Sequence, residues 1–182
     1  MTTDAPGSGS EVSLISVTFE LKEGSGSQIT YGGNIIDNGD FSNQDFSSWS
    51  ASLGGAKIEA ESVEAGADIG VTTCGAITRS KDPLKSYECF AQDITGKVRE
   101  GEEYEFSFWA KLSDDYNKEL DDSQKTVQFQ PYYENGDGKQ EYDTTGLISG
   151  TSAQVLEAGK WTKFEGTYKI PSGAKKVVIC LL

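Results

Sequence analysis

The sequence predicts an all-β protein, folded as a sandwich or a barrel, and three observations support this prediction. Short segments of alternating apolar and polar residues run through the chain of 182 residues, and this period of two is typical of strands with one buried face. Helical periodicity is almost absent. Clusters of Gly, Asn, Asp and Ser separate the segments, and the 21 glycines suit a protein with many turns. The length fits one domain with its own core.

Four segments have a clear apolar side, which we expect to face the core. Their apolar residues are Ile15, Val17, Phe19 and Leu21, then Tyr104, Phe106, Phe108 and Ala110, then Val127 and Phe129, and last Phe164, Tyr168 and Ile170. The run from Val177 to Leu182 is apolar on both sides, which predicts a central strand covered on both faces. The sequence Asn-Gly-Asp-Gly at 135–138 is typical of a β-hairpin turn.

Charge and composition exclude several classes of function. The formal net charge of −13 disfavours nucleic acid and anionic membrane surfaces as partners. The absence of His excludes Ser-His-Asp and Cys-His catalysis and the usual zinc sites. Cys74, Cys89 and Cys180 lack a Cys-x-x-Cys spacing, so we expect three buried thiols, or one disulfide and one free thiol. No apolar run is long enough to span a membrane.

Two stretches rich in Gly and Ser flank the first predicted strand. Residues 1–10 lack the basic and apolar regions of a signal peptide and have the composition of a linker or a vector-derived segment. A strand is predicted at residues 11–21, followed by a second linker at 22–33. Because a lone strand is not stable by itself, we expect it to pair with the sheet formed by the rest. We therefore assign residues 11–182 to a single β-sandwich.

Four segments resemble carbohydrate-binding modules of the related families 4, 9, 16 and 22, and the details are most similar to family 22. The segments are Asn34–Phe41 with Ser48 and Trp49, Ala91–Thr95 with Glu100–Lys111, Gly159–Tyr168, and Ile170–Gly173. The likeness extends from residue 34 to residue 182. It implies a β-sandwich of the jelly-roll type, with a concave face that holds a sugar chain.

The family ends on a strand that is missing after Leu182 and that residues 11–21 resemble. The resemblance therefore implies a circular permutation, natural or engineered, in which the linker at 22–33 bridges the original ends. In that case we expect residues 11–21 to pair beside Val177–Leu182 in one sheet. The alternative is that this strand belongs to a preceding module.

The hairpin carries most of the candidate carbohydrate-binding residues. Aromatic rings stack on the apolar CH faces of sugars, and amides hydrogen-bond the sugar hydroxyls. Gln128, Gln130 and Tyr132 alternate with core-like residues, so we expect them on the outward face of one strand. Gln140 and Tyr142 follow the turn and are expected to face them. The alternative is an ordinary solvated sheet face.

The resemblance implies two further sugar contacts. Tyr87 lies five residues before Gln92, at the spacing where family 22 has an aromatic residue that stacks on a sugar ring. Arg79 lies near a position where the family often has Arg. The alternative for Tyr87 is a loop side chain packed on the edge of the sandwich.

The three tryptophans are expected to be structural. Trp49 and Trp161 match core positions of the family. Trp109 lies on the side of its segment opposite to Phe106 and Phe108, where it is either core or a binding platform. Of these two readings we favour the core.

The resemblance also implies a structural Ca²⁺ ion where the first and last strands meet. The candidate ligands are the carboxylate of Asp40, the backbone carbonyl of Gly66 and, in a permuted chain, the carboxylate of Glu20. Carboxylate and carbonyl oxygens are suitable ligands for calcium. The alternative is that Asp40 only closes a turn.

These features predict a monomeric, non-catalytic carbohydrate-binding module for a β-1,4-linked plant polysaccharide, xylan or mixed β-glucan. We expect a secreted bacterial protein in which the module tethers a glycoside hydrolase to its substrate. The 29 acidic residues include no recognisable pair of catalytic carboxylates, so we do not expect an enzyme. The alternative is a calcium-stabilised structural or adhesion module without a sugar site.

Overall fold

The structure, a computed structural model, contains fourteen β-strands and one short helix among the residues that it describes. These residues are 11–23, 30–43, 46–52, 57–66, 71–78, 89–113 and 122–181. The strands are β1 Glu11–Glu23, β2 Thr30–Tyr31, β3 Ser50–Ser52, β4 Lys57–Gly66, β5 Val71–Thr78, β6 Cys89–Asp93, β7 Glu103–Leu112, β8 Thr126–Gln128, β9 Tyr132–Glu134, β10 Gln140–Glu141, β11 Ile148–Thr151, β12 Ala153–Val155, β13 Thr162–Lys169 and β14 Lys176–Leu181. The helix α1 spans Asp122–Lys125. No helix in the described ranges is long and apolar enough to cross a membrane.

The strands form two main antiparallel sheets. The larger has seven strands in the order β11-β13-β7-β1-β5-β4, with β2 paired to β1. The smaller has five strands in the order β10-β9-β14-β6-β3, and β8 pairs with β12 separately. Buried side chains from both sheets belong to one hydrophobic cluster, which we call the main core. The predicted all-β sandwich is therefore confirmed.

Aromatic rings fill the main core where alternation predicts them. Every second residue of β7 is buried, beginning with Tyr104. The Phe106 ring stacks on Phe129 with centroids 4.1 Å apart, and Phe108 stacks on Phe164 at 4.6 Å. Each such pair contributes roughly 0.5–1.5 kcal/mol beyond the burial of its area. Because Phe129 bridges to Leu181 of β14, the Phe106–Phe129 stack connects the two sheets, whereas the Phe108–Phe164 stack lies within the larger one.

The apolar strand β14 lies between β9 and β6, as predicted for a strand covered on both faces. Val177, Ile179 and Leu181 enter the main core. Val178 and Cys180 belong to a second buried cluster on the other face of the sheet. The three cysteines are buried as thiols, which agrees with the first of the two expectations for them.

The position of β1 differs from the expectation. It lies in the middle of the larger sheet, between β5 and β7, so the predicted pairing beside Val177–Leu182 is wrong. A register shift between Ile15 and Thr18 marks a β-bulge, and Ile15 pairs with Trp109. The bulge inserts one extra residue into β1 between its pairings with Trp109 and Ser107.

Two of the three tryptophans lie outside the core. Trp49 is buried as predicted and stacks on Phe41, with ring centroids 5.6 Å apart. Trp109 is only half-buried, since it alternates with the inward residues of β7 and points away from the main core. Trp161 is also half-buried, and the Nζ atom of Lys111 lies 5.3 Å from its ring centroid. The expectation of a core role for Trp109 and Trp161 is wrong.

Candidate functional site

The candidate site lies on the face of the five-stranded sheet that points away from the main core. Alternation along β14 directs Lys176, Val178 and Cys180 to this face. The register of β9 and β14 places Tyr132 beside Val178 and Glu134 beside Lys176. Tyr132 packs against the second buried cluster, which consists of Cys89, Ala91, Val178 and Cys180. The floor of this face is therefore small and apolar, and larger polar and aromatic side chains stand at its β9 side.

The hairpin that carries these side chains has a well-defined turn. The Asn135 amide donates to the Lys139 carbonyl at 3.2 Å, and the Asn135 side-chain oxygen accepts from the Asp137 amide at 3.0 Å. Gly138 has a φ of 72°, in the left-handed region that glycine adopts without strain. The predicted hairpin is thus confirmed, and its register pairs Gln140 with Glu134 on the outward face.

Two tyrosines meet on this hairpin. The rings of Tyr132 and Tyr142 have centroids 5.3 Å apart and planes tilted by 39°. Tyr142 is half exposed, at 50 %, whereas Tyr132 is partly covered, and burial raises the pKa of the Tyr132 hydroxyl. The Tyr142 hydroxyl donates to the side-chain oxygen of Gln140 at 2.7 Å, and the Gln140 amide donates to Glu134 at 3.3 Å. The chain Tyr142–Gln140–Glu134 holds the exposed ring in place.

Gln128 and Gln130 lie before the hairpin, and the structure corrects their placement on one continuous strand. Pro131 separates β8 from β9, because proline lacks the amide hydrogen that a ladder bond needs. The two glutamines still alternate with buried neighbours as predicted. The Gln128 amide donates to the Gln130 side-chain oxygen at 2.8 Å, and the Gln130 backbone amide donates to the Cys180 carbonyl at 2.9 Å.

The charged groups at the β9 side are paired. Lys176 Nζ lies 3.4 Å from a carboxylate oxygen of Glu134, and Lys139 Nζ lies 2.7 Å from one of Glu141. The electrostatic interaction with Tyr132, followed by the hydrogen bond to Glu134, raises the pKa of Lys176. The hydrogen bond to Glu141 raises the pKa of Lys139. Each lysine here is therefore held next to a carboxylate.

We call the outward surface formed by Gln128, Gln130, Tyr132, Glu134, Gln140, Tyr142 and Lys176 the hairpin face. The sequence analysis missed two of its members. Glu134 could have been found, since it alternates with Tyr132 along the same strand. Lys176 depends on the pairing of β9 with β14, which no local pattern encodes. Tyr87 and Arg79 lie outside the described residues.

The proposed calcium ligands are only partly brought together. The Thr73 hydroxyl donates to the Asp40 carbonyl at 3.3 Å, and Gly66 pairs with Val71, two residues before Thr73, so Asp40 and Gly66 share one end of the sheet. The Val17 amide donates to the carbonyl of Gly39, the residue before Asp40. Glu20 follows Val17 by three residues, which is about 10 Å along β1 at the usual rise per residue.

The role of Glu20 as a ligand stays a prediction, since two carboxylate side chains and an ion between them can span such a distance. The Asp40 carboxylate accepts from the Ser42 amide at 3.1 Å and from the Ser42 hydroxyl at 2.9 Å, which is the turn-closing arrangement. Within the described ranges, no group of three or more His, Cys, Asp or Glu could hold a metal ion.

Residues 33–181 match the sequence model of a family described as "Carbohydrate binding domain" (CBM_4_9). Among solved structures, the chain is similar to the CBM22-1 xylan-binding domain of Xyn10C from Paenibacillus barcinonensis. The TM-score is 0.56 at 19% sequence identity, and the match covers 78% of each chain. The chain is also similar to the enzymatically active domain of tailspike protein 4 from bacteriophage CBA120, with a TM-score of 0.51 at 14% identity. That match covers 81% of this chain and 19% of the tailspike chain. These structural similarities show a shared fold. A comparison with curated proteins found no match.

Proposed function

The chain belongs to the carbohydrate binding domain family, and from this premise we propose that its hairpin face binds a β-1,4-linked polysaccharide. The resemblance to carbohydrate-binding modules, including family 22, is confirmed by the family match and the shared fold. We propose xylan as the preferred chain and mixed β-glucan as the second candidate. The observation that carries the proposal is the tyrosine pair at the exposed edge of the hairpin.

The geometry of the tyrosine pair supports an extended sugar chain as the ligand. The ring centroids lie 5.3 Å apart, which is close to the length of one β-1,4-linked sugar residue. Because the ring planes are tilted by 39°, they suit a twisted chain, such as xylan in solution, better than a flat ribbon. The amides of Gln128, Gln130 and Gln140 offer donors and acceptors to the hydroxyls beside the stacked rings.

The charges of the hairpin face and of the neighbouring Lys139–Glu141 pair support a neutral ligand. Lys176 and Lys139 are paired with Glu134 and Glu141, so neither cation is left over for an anionic sugar. The net charge of −13 also repels a polyanion such as a pectin. Unsubstituted xylan and β-glucan carry no charge and avoid this repulsion.

We further propose that the module is non-catalytic, monomeric and secreted, and that it tethers a hydrolase to its substrate. The membership in a binding-domain family supports a binding role. Tethering raises the local concentration of an attached enzyme without any new chemistry. The purified protein is expected to release no reducing sugar from xylan or β-glucan above a buffer blank.

We also propose a circular permutation, in which β1 is a central strand of the larger sheet and not a neighbour of β14. Its support is that the family match begins at residue 33, whereas β1, which precedes that residue, occupies the centre of the larger sheet. A chain in which residues 11–23 are moved behind Leu182 through a Gly/Ser linker is expected to fold and bind glycan like the parent. Loss of folding in that chain would refute the permutation.

A structural calcium ion held by Asp40, the Gly66 carbonyl and Glu20 remains a proposal. A structural or adhesion module that needs calcium and binds no sugar is the alternative function.

Affinity electrophoresis in gels that contain xylan, mixed β-glucan or polygalacturonate tests the main proposal. We expect retardation by the neutral chains only. The variant Tyr142→Ala should lose most of the retardation, whereas Val155→Ala, which removes a similarly exposed apolar side chain from β12, should keep it. No retardation by any glycan would favour the structural or adhesion module.

A further inference from the structure

A groove of about 370 Å³ lies on the outward face of the seven-stranded sheet, on the opposite side of the sandwich from the hairpin face. It crosses three neighbouring strands, β13, β7 and β1. Its polar lining includes Thr18, Glu105, Ser107, Lys163, Glu165 and Thr167. Each of these residues alternates with inward-pointing residues along its strand, or is the ladder partner of a residue that alternates in this way. All six side chains therefore share the outward face.

Short hydroxyl side chains leave room between the strands. The hydroxyl oxygens of Thr18 and Ser107 lie 3.0 Å apart, and those of Ser149 and Thr167 also lie 3.0 Å apart. A pair of hydroxyls needs only one hydrogen for its mutual bond. The Ser149–Thr167 pair therefore keeps a second hydrogen for a ligand. The Thr18 hydroxyl also donates to the Ser107 carbonyl at 3.5 Å, so the Thr18–Ser107 pair offers its lone pairs.

Carboxylates flank these hydroxyls. Glu165 is exposed, at 61 % of its side chain, and forms an ion pair with Lys163. The Glu105 side chain is 39 % exposed, and Glu20 is its partner in the ladder. An ionised carboxylate accepts charge-assisted hydrogen bonds from neighbouring hydroxyls, and a lysine donates to ring or hydroxyl oxygens.

An aromatic surface continues the groove at one end. Trp109 follows Ser107 by two residues on the same face of β7, and it pairs in the ladder with Lys163. Trp161 comes next, beside Lys111. Within a few ladder positions the outward face thus changes from hydroxyls and carboxylates to half-buried indole rings. This combination suits sugar rings, which have polar hydroxyls and apolar CH faces.

We propose that this groove is a second saccharide-binding surface, which takes a short neutral oligosaccharide segment independently of the hairpin face. The proposal rests on the proposed function only in the class of ligand. Three carboxylates line the groove against one lysine, Lys163, and Lys22 lies 4.0 Å from Glu105, so the remaining negative charge disfavours an anionic sugar. The polar lining disfavours a purely apolar ligand, and the Lys163–Glu165 ion pair already neutralises part of the charge that would attract a cation.

Two sites on opposite sides would let one module contact two polysaccharide chains. The two surfaces share no residue, so each should bind without the other. Hydrogen bonds to charged groups are stronger than those between neutral groups, so the loss of Glu105 and Glu165 together should weaken sugar binding in the groove at least about tenfold.

The experiment is a titration of the full chain with xylohexaose, read by calorimetry and by amide chemical shifts. We expect two ligands per protein, and shifts in two separate groups of residues, one around Tyr132 and one around Ser107. The double variant Tyr132→Ala/Tyr142→Ala should keep only the second group, and Glu105→Ala/Glu165→Ala should keep only the first. Glu157→Ala is the matched control, because Glu157 is also an exposed carboxylate paired with a lysine, Lys160.

The possible outcomes separate the two sites. A single ligand per protein that the Glu105→Ala/Glu165→Ala variant binds like the parent would overturn the second surface and leave the hairpin face intact. Shifts confined to the groove would refute the hairpin face and support the groove. Groove shifts that spermidine or calcium causes and xylohexaose does not would show a cation site instead. Should the groove variant fail to fold, the shift map of the parent decides alone.

Discussion

The hydroxyl of Tyr168 provides a sharp test of how this core is built. Tyr168 is fully buried, and its hydroxyl has no hydrogen-bond partner among the described residues. Its ladder partner Tyr104 is also buried, but the Tyr104 hydroxyl accepts a hydrogen bond from the Arg99 amide at 3.0 Å. The two tyrosines are thus a matched pair that differs in one bond.

The substitution Tyr168→Phe removes a buried polar group that has no partner. The desolvation cost of such a group is about 1–3 kcal/mol, so the free energy of unfolding should rise by roughly 1 kcal/mol or more. For a chain of this size, each kcal/mol corresponds to roughly 2–4 °C in Tm. Tyr104→Phe removes a made hydrogen bond and should lower stability by about 0.5–1.5 kcal/mol.

Urea unfolding, followed by tryptophan fluorescence, measures the free energy of unfolding of both variants. Unchanged m values would show that their unfolded states are comparable. Opposite signs for the two substitutions are the expected result. If Tyr168→Phe instead destabilises the protein as much as Tyr104→Phe, then the hydroxyl has a partner, such as a buried water, and the reasoning is refuted.

Further predictions follow from burial, pairing and pKa. Burial raises the pKa of Tyr168 above its ordinary value of 10.0. Above about pH 10 the Tyr168 hydroxyl therefore ionises more readily in the unfolded chain than in the folded one, and the free energy of unfolding falls as the pH rises. Because Tyr168→Phe removes this group, its alkaline unfolding should start at a higher pH than that of the parent. Tyr142→Ala should weaken xylan binding by about 1–3 kcal/mol, by analogy with ring stacking on bases, and leave Tm nearly unchanged, which calorimetry and thermal melting would check. Deletion of residues 1–23 should abolish folding, since it removes β1 from between β5 and β7; a soluble, equally stable fragment would contradict this. A chelator should lower Tm if the Asp40 site holds calcium, and an unchanged melting curve, from protein shown to have contained the metal, would reject that site.

Local pattern predicts those parts of the fold in which each residue's environment follows from its neighbours in the chain. The alternation in β7 and the turn at 135–138 are of this kind, and both are confirmed. The two-sided apolar run in β14 also predicts its central place. The hairpin could therefore be recognised before its partners were known, together with Tyr132 and Tyr142.

Pairing between distant strands could not be predicted in the same way. Nothing local in the sequence of β1 distinguishes β7 from β14 as its neighbour in a sheet. The bulge after Ile15 depends on that pairing. Lys176 joins the hairpin face for the same reason, because only the β9–β14 register brings it beside Glu134.

The central place of β1 determines how this fold responds to a pulling force. Ladder hydrogen bonds in an antiparallel sheet run perpendicular to the strands. A force applied to the N-terminal end of β1, along its axis, therefore shears its ladders with β5 and β7 at the same time and cannot open them one bond after another. A module held on a solid polysaccharide and pulled through this strand should resist unfolding far better than one pulled from an edge strand such as β4. Attachment through β1 thus suits an anchor that must hold under flow.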